Sequence, residues 1–178
     1  ASDSTPVSFE CTDGGSGCDQ ITYTFDGSKP SFDRSDAQIL QGASGQRTIQ
    51  VAGRHQIRAI ARDRVGHTSE ISVTALEIDR TAPATTVTPA SGTYQGSVQI
   101  TLGCADSGSG CAAVLVTTDG STPMDGAPRT HKITSFPAQL QLATSATLRV
   151  VTRDRAGNLS AERSASYTIR GFELAHSR

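Results

Sequence analysis

The 178-residue chain has no tryptophan and only one methionine, and its aromatic residues are five phenylalanines and three tyrosines. Its hydrophobic cores must therefore be built mainly from valine, isoleucine, leucine and alanine. The lack of tryptophan also weakens the case for a sugar-binding platform, because such platforms often stack sugar rings on exposed aromatic faces.

An excess of one charge and a long apolar run are both missing. Sixteen basic residues nearly balance seventeen acidic ones, for a formal net charge of −1. This balance gives no reason to expect nucleic acid or an anionic membrane as a partner. No apolar run approaches the roughly 20 residues that span a bilayer. We therefore expect no nucleic-acid partner and no membrane insertion.

Familiar catalytic motifs are also missing. The sequence contains no Gly-x-Ser-x-Gly, no His-Glu-x-x-His and no phosphate-binding loop. Its four histidines are scattered and share no position in the repeat described below: His55, His67, His131 and His176. We predict that the chain is not an enzyme.

What the chain does contain is one stretch that occurs twice. The first copy reads CTDGGSGC at positions 11–18, and the second reads CADSGSGC at positions 104–111, an offset of 93. An Asp-Gly-Ser-x-Pro segment follows at positions 26–30 and again at 119–123 with the same offset. The repeat predicts two modules, residues 1–80 and 81–170, followed by a tail of residues 171–178.

Four cysteines lie in the two repeated loops, one pair in each copy. We predict disulfides Cys11–Cys18 and Cys104–Cys111. Zinc is the rival explanation, but the C-x6-C spacing is unlike the usual zinc knuckles and no histidine lies nearby. Structural disulfides favour an oxidising compartment, so we predict a secreted or cell-surface location.

Short β-rich runs separated by turn residues dominate both copies. In the first module they cover residues 7–11, 21–25, 48–51, 55–61 and 70–78. In the second they cover residues 85–88, 97–104, 113–118, 138–142, 147–152 and 161–169. This pattern predicts an all-β chain of two tandem Ig-like antiparallel β-sandwiches, of the E-set or fibronectin III-like kind, with one local disulfide each.

The alignment of the copies makes three further predictions. At the Asp-Arg-x-Gly turns of residues 63–66 and 154–157 the offset between the copies falls to 91, so the second copy has lost two residues before this turn. We place the deletion in the loop after Pro123, where segments 31–46 and 124–136 differ in sequence. The strand at 85–88 has its counterpart before Ala1, so the first module is predicted to lack its opening strand and to present an unpaired edge. The predicted core includes Ile49, Val51, Ile57 and Ala59, with the equivalents Leu140, Leu142, Leu148 and Val150.

The string Tyr-Thr-Phe-Asp-Gly-Ser-Lys-Pro at residues 23–30 resembles the C-terminal Ig-like module of bacterial chitobiases and β-hexosaminidases. The second copy carries Thr-Thr-Asp-Gly-Ser-Thr-Pro at 117–123 and Arg-Asp-Arg-Ala-Gly-Asn at 153–158, in the same order. Val116 and His67 depart from the pattern. The resemblance implies an Ig-like fold and a module that accompanies secreted hydrolases and surface proteins without being catalytic itself.

Repeated aspartates raise the question of calcium. Each of them also suits a turn-capping role, and that reading stays open. The loop after the second strand and the final hairpin share one pole of an Ig-like sandwich. In the second module this pole carries Asp106 and Asp154, the linker carries Asp79, and Asp26 is predicted to approach from the first module. Carboxylate oxygens suit Ca²⁺, so these four residues are the predicted calcium ligands. No other cofactor is required.

These observations predict a stiff, non-catalytic extracellular spacer within a larger bacterial protein. Two alternatives remain open: a polysaccharide-binding accessory module of a secreted glycoside hydrolase, and a subunit of an extracellular filament joined through the unpaired edge and residues 171–178. The predicted partners are accordingly neighbouring Ig-like modules or protein subunits, with polysaccharide as the alternative.

Overall fold

The computed structural model describes residues 5–171, and the chain divides between Asp79 and Arg80 into two compact units. Both units are built from β-strands, and the described residues include no α-helix. Between residues 5 and 171 there is accordingly no helix with the length and apolarity needed to cross a bilayer. The predicted all-β, Ig-like fold class is confirmed. The tail beyond residue 171 lies outside the described residues.

The first unit has six strands in two sheets. The strands are β1 (Thr5–Glu10), β2 (Cys18–Thr24), β3 (Gln38–Gln41), β4 (Ser44–Ile49), β5 (Gly53–Asp63) and β6 (Ser72–Ile78). Strands β1 and β4 form one antiparallel sheet, and the other sheet has the order β3-β2-β5-β6. Alternate residues of both sheets meet in one apolar cluster that includes Phe9, Ile21, Tyr23 and Ile57.

The second unit has eight strands in two sheets. The strands are β7 (Ala84–Thr88), β8 (Gly92–Gln95), β9 (Val98–Ala105), β10 (Cys111–Thr117), β11 (His131–Ile133), β12 (Ala138–Leu142), β13 (Ala146–Asp154) and β14 (Arg163–Arg170). The sheets have the orders β12-β9-β7 and β11-β10-β13-β14-β8. Their facing side chains form a cluster in which Ile100, Leu102, Val114 and Leu148 are fully buried.

The two units share a common strand order. Strands β1 to β6 correspond to β9 to β14 in sequence and in pairing partners, and β7 and β8 have no counterpart among the described residues of the first unit. The prediction named one additional opening strand in the second module, whereas the structure has two. Strand β8 was missed because it is short and pairs in parallel with β14 rather than in a hairpin.

The position of the two-residue length difference was predicted wrongly. Ile21 pairs with Leu40 and Val114 pairs with Ile133, so the segment after the Asp-Gly-Ser-x-Pro turn has the same length in both units. Phe9 pairs with Gly45 and Leu102 pairs with Ala138, which keeps the offset of 93 as far as β4 and β12. The change to 91 therefore lies in the turn from β4 to β5. Segments 31–46 and 124–136 also contain β3, the start of β4, and β11, and are not simple loops.

Most of the predicted core is buried, with one error. Ile49, Ile57, Leu142, Leu148 and Val150 are buried, and Ala59 and Leu140 are partly buried against the clusters. Val51 is 67% exposed, because the inserted residues place it in the β4–β5 turn rather than on a strand.

The outer face of the larger sheet in the second unit carries an apolar groove of about 500 Å³. Leu115 and Val151 are buried at its floor, and Met124 and Leu159 are exposed at its edges. Nothing in the described residues fills this groove.

Candidate functional site

The disulfide loops are the most regular feature of both units. Cys11 is bonded to Cys18 and Cys104 to Cys111, with Cα–Cα distances of 6.2 and 6.1 Å, as predicted. Within each loop an aspartate accepts a hydrogen bond from a glycine N–H four residues later. The Oδ2 of Asp13 accepts from Gly17 at 2.6 Å, and that of Asp106 accepts from Gly110 at 2.6 Å. These aspartates therefore stabilise their loops as turn formers do.

The final hairpin of each unit packs against the disulfide loop of the same unit. The N–H of Arg64 donates to the carbonyl of Gly17, and the N–H of Arg155 donates to the carbonyl of Gly110. At the tip of each hairpin Gly66 and Gly157 have φ near +95°, a conformation that glycine adopts without a steric penalty. The predicted pole, where the loop after the second sandwich strand meets the final hairpin, is present in each unit.

Asp106 and Asp154 come together at this pole of the second unit. Their carboxylate oxygens lie within 4.8 Å of each other. Asp154 is 1% exposed and accepts hydrogen bonds from the Asn158 backbone N–H and side-chain Nδ2, both at 2.7 Å. The Oδ1 atom of Asp106 is buried, and no hydrogen-bond donor reaches it in the described part of the chain. One oxygen of these two carboxylates is therefore buried without a hydrogen-bond donor among the described residues.

At the equivalent pole of the first unit, both carboxylate oxygens of Asp63 accept hydrogen bonds from residues of the same unit. The Oδ2 atom of Asp63 accepts from the Ser16 hydroxyl at 2.8 Å and lies 3.0 Å from the His67 ring. Its Oδ1 atom accepts from the N–H groups of Val65 and His67. Sequence reasoning missed Ser16 and His67, although His67 was marked as a departure from the family pattern. Ser16 carried no signal, because its contact with Asp63 spans 47 residues.

The acidity of Asp63 follows from this arrangement. Burial opposes its ionisation, but hydrogen bonds from Ser16, His67 and Val65 outweigh that effect and lower its pKa to about 2. Because the folded pKa lies below the unfolded value, the stabilisation is complete above about pH 4. It is lost as the pH falls from about 4 towards 2.

The variant Asp63→Asn should therefore flatten the loss of stability of the first unit between about pH 4 and pH 2. Thermal unfolding followed across this range, with hydrogen exchange to identify the unit, provides the measurement. Asp119→Asn is the matched control, because it should change the acid response of the second unit alone. If the first unit of Asp63→Asn loses stability as steeply as the original protein, the assignment of this pKa is wrong.

Asp26 follows β2 and Asp119 follows the equivalent strand β10, and these aspartates cap the Asp-Gly-Ser turns. Ser28 and Ser121 each donate a backbone N–H and a hydroxyl to the respective Oδ1. The Ser121 groups, with Arg129, lower the pKa of Asp119 to about 2. Asp26 follows the end of β2 whereas Asp63 pairs with the start of β2, so Asp26 lies at the opposite end of the first unit from Asp63.

Of the four predicted calcium ligands, Asp106 and Asp154 share one unit and lie together there. Asp79 directly follows β6 and is the last residue of the first unit. Asp26 already holds a Ser28 hydroxyl on one oxygen. Calcium binding by these four residues stays a prediction.

Three arginines on the outer faces of β5 and β13 have partners. Arg149 pairs with Glu162 at 3.4 Å across the final hairpin of the second unit. Arg153 pairs with Asp125 at 2.6 Å, and Arg62 lies 4.5 Å above the ring of Phe32. Asp125 and Phe32 lie in segments 124–136 and 31–46, which differ between the two copies. These partners leave less of the basic face available to an anionic glycan.

None of the three tyrosines offers an open ring face. Tyr23 and Tyr167 are 3% and 2% exposed and belong to the cores. Tyr94 packs on Tyr167 with a centroid distance of 5.9 Å, and its hydroxyl donates to the carbonyl of Ala90. A sugar platform built on tyrosine is therefore not formed.

Comparison with known proteins finds a family match within the second unit and solved structures with a similar fold. Residues 89–164, within the second unit, match the family described as chitobiase/beta-hexosaminidase C-terminal domain. That family is a non-catalytic C-terminal module, and the match does not extend to the first unit. A search of curated protein sequences finds no match.

Among solved structures, the fibronectin(III)-like modules of Clostridium thermocellum CbhA are similar, with a TM-score of 0.52 at 14% identity. This similarity covers 98% of the present chain and 91% of that one. The FN1–FN3 domains of chicken CNTN1 align with a TM-score of 0.41 at 10% identity, over 94% of this chain and 63% of that one. The CbhA similarity shows a fibronectin III-like fold. Together with the family match it indicates a non-catalytic accessory module, and the two disulfides are consistent with an extracellular location.

Proposed function

We propose that the chain is a pair of Ig-like accessory modules in a larger secreted or surface-attached bacterial protein, where it acts as a spacer. Such a spacer holds an adhesive or catalytic part away from its anchor. The observation that carries this proposal is the match of residues 89–164 to the chitobiase/beta-hexosaminidase C-terminal domain family. We also assign the first unit to this family, on the basis of its shared strand order.

The local construction of each unit supports a mechanical role. A disulfide clamps the loop at one pole, and an aspartate caps each of the repeated turns. The apolar clusters consist of strand residues from both sheets of the unit. These features limit local unfolding of the loops. A rigid module of this kind suits a spacer, which keeps its neighbours at a fixed distance, better than a module that closes around a ligand.

Binding to a glycan microarray and sedimentation with insoluble chitin test the spacer against the polysaccharide-binding alternative. A spacer should bind none of these glycans, while a known chitin-binding module run in parallel should bind. Saturable binding of the chain to any one glycan, competed by the soluble sugar, would replace the spacer with the accessory binding module.

We also propose that Asp106 and Asp154 bind Ca²⁺, with Asp79 and Asp26 as the further ligands predicted from the sequence. The uncompensated Asp106 Oδ1 atom and the closeness of the two carboxylates favour a cation at this pole. Oxygen ligands of this kind suit Ca²⁺ rather than a softer metal.

Calorimetric titration with Ca²⁺ should show binding, and the melting temperature of the second unit should rise at millimolar Ca²⁺. Asp106→Asn should abolish both effects. Asp13→Asn, the same change at the equivalent position of the first unit, is the matched control and should preserve them. Asp26→Asn and Asp79→Asn then test the other two predicted ligands. Absence of both heat and thermal shift in the metal-stripped protein would exclude the site and leave these aspartates as turn formers.

A further inference from the structure

One arginine on the outer sheet face of the first unit lacks a polar partner among the described residues. Arg58 lies in β5 between Ile57 and Ala59, which pack on the apolar cluster, so its side chain points to the outer face. Its Nε atom is buried, and no hydrogen-bond acceptor in residues 5–171 reaches it. The ion pairs within the same residues do not include Arg58. Because a guanidinium stays charged and a buried donor without an acceptor is unfavourable, this site favours binding of an acceptor from another molecule.

The equivalent arginine of the second unit has the partners that Arg58 lacks. Arg149 occupies the same place in the strand pairing as Arg58. Its Nε atom lies 3.4 Å from Oε1 of Glu162, and its Nη1 atom donates to the Thr122 hydroxyl at 2.9 Å. The nitrogen that faces a carboxylate in the second unit is thus the nitrogen without an acceptor in the first. A carboxylate is therefore the chemical group that fits the Arg58 site.

Two sequence differences remove these partners from the first unit. Ile71 stands in the place of Glu162, and Lys29 stands in the place of Thr122. A carboxylate is thereby replaced by an aliphatic side chain, and a hydroxyl is replaced by a second cation. Both differences lie at described positions within the first unit.

The segment before the first sandwich strand does not supply this partner in the second unit. There, β8 pairs with β14 from Tyr167 to Arg170, and β7 belongs to the opposite sheet. Arg149 lies opposite Ser164, which precedes the β8 pairing by about 10 Å of strand. A preceding segment that followed the same course in the first unit would therefore not reach Arg58.

The surface beside Arg58 is uncharged and partly aliphatic. The cross-strand neighbours of Arg58 are Thr24 and Val73, and Val73 is 52% exposed. Ile71 is also exposed. Charge complementarity favours a carboxylate at this site, and the two aliphatic side chains favour an apolar group next to that carboxylate. An acidic sugar would provide the carboxylate but would place hydroxyl groups against the aliphatic side chains.

We propose that the outer face of the first unit around Arg58 is a docking site for an acidic segment of a partner protein. A glutamate of the partner takes the place that Glu162 has in the second unit, and its carboxylate accepts a hydrogen bond from Arg58 Nε. An adjacent aliphatic side chain of the partner packs on Ile71 and Val73, and Lys29 adds a second positive charge. The inference does not depend on the spacer role.

The test follows the Nε–H resonance of Arg58 by NMR in the full chain, with the resonance assigned by its loss in Arg58→Gln. The probe is the blocked peptide acetyl-Gly-Val-Glu-Val-Gly-amide. Its titration should shift the resonance in a saturable way. The same peptide with glutamine in place of glutamate should bind about tenfold more weakly, because the charge-assisted hydrogen bond is lost.

Ile71→Glu is the decisive variant, because it gives the first unit the carboxylate that compensates Arg149 in the second. It should neutralise Arg58 internally and abolish the shift caused by the peptide. Val65→Glu is the matched control, since it places the same charge at an exposed valine in the final hairpin and should preserve the shift. Both substituted side chains are exposed, so both variants should fold.

Several results would overturn the proposal. Equal binding of the glutamate and glutamine peptides is one, and an unchanged peptide shift in Ile71→Glu is another. Absence of any shift at millimolar peptide in the folded chain also excludes the site. A larger shift with trigalacturonate would assign the site to an acidic glycan instead. A change in the Arg58 resonance of the free chain on Asp3→Asn or Glu173→Gln would assign it to the chain's own ends. Binding of neutral glycans alters none of these results, so failure of the spacer proposal remains distinguishable.

Discussion

Replacement of Leu148 by alanine is expected to lower the free energy of unfolding of the second unit by about 2–5 kcal/mol. Leu148 is 0% exposed and belongs to the cluster that joins both sheets of its unit. Removal of its side chain loses burial and leaves a cavity that neighbouring strands can close only in part. Denaturant unfolding monitored by hydrogen exchange in each unit measures the loss.

Leu159→Ala is the control for this experiment, since it makes the same chemical change in the same unit at a residue that is 54% exposed. Its effect should stay within about 0.5 kcal/mol, as for most surface substitutions. Equal effects of the two substitutions would mean that the sandwich interior is assigned to the wrong residues.

Removal of one disulfide is the second change with a large expected effect. The variant Cys104→Ser, Cys111→Ser opens a loop of about eight residues, and the chain-entropy relation gives a loss of about 2.5 kcal/mol. The loss should be confined to the second unit, because the bond and the loop capped by Asp106 both belong to it.

The matched variant, Cys11→Ser with Cys18→Ser, should destabilise the first unit by a similar amount because the cysteine separation is 7 in both cases. Thermal unfolding of both variants under non-reducing conditions provides the comparison. If either variant weakens both units equally, the disulfides act on more than their own loops, contrary to the expectation.

The features that were predicted correctly are those in which a short stretch of sequence determines the result. The disulfide pairs and the aspartate-capped turns both involve residues within about seven positions. The alternating apolar pattern correctly identified Ile57 and Leu148 as buried. In each case the repeat gave two independent examples of the same local chemistry.

The errors arose where a distant partner decides the outcome. Strands β3 and β11 are short and carry polar residues, and each exists because it pairs with the edge of a central strand. Val51 was predicted to be buried on a strand. The two additional residues of the first unit lie next to it in the β4–β5 turn, so its side chain is exposed. The contacts of Asp63 with Ser16 and of Arg153 with Asp125 each join a strand to a separate loop, and neither pairing leaves a periodic signal.

The distribution of methionine, cysteine and tryptophan has a consequence for resistance to oxidation. All four cysteines are already disulfide-bonded, and the only methionine, Met124, is 65% exposed. Neither core cluster contains methionine or tryptophan. Peroxide would therefore convert Met124 to its sulfoxide where water already surrounds the side chain, without placing a polar group in a core. Oxidative damage of this kind would leave both sandwiches folded.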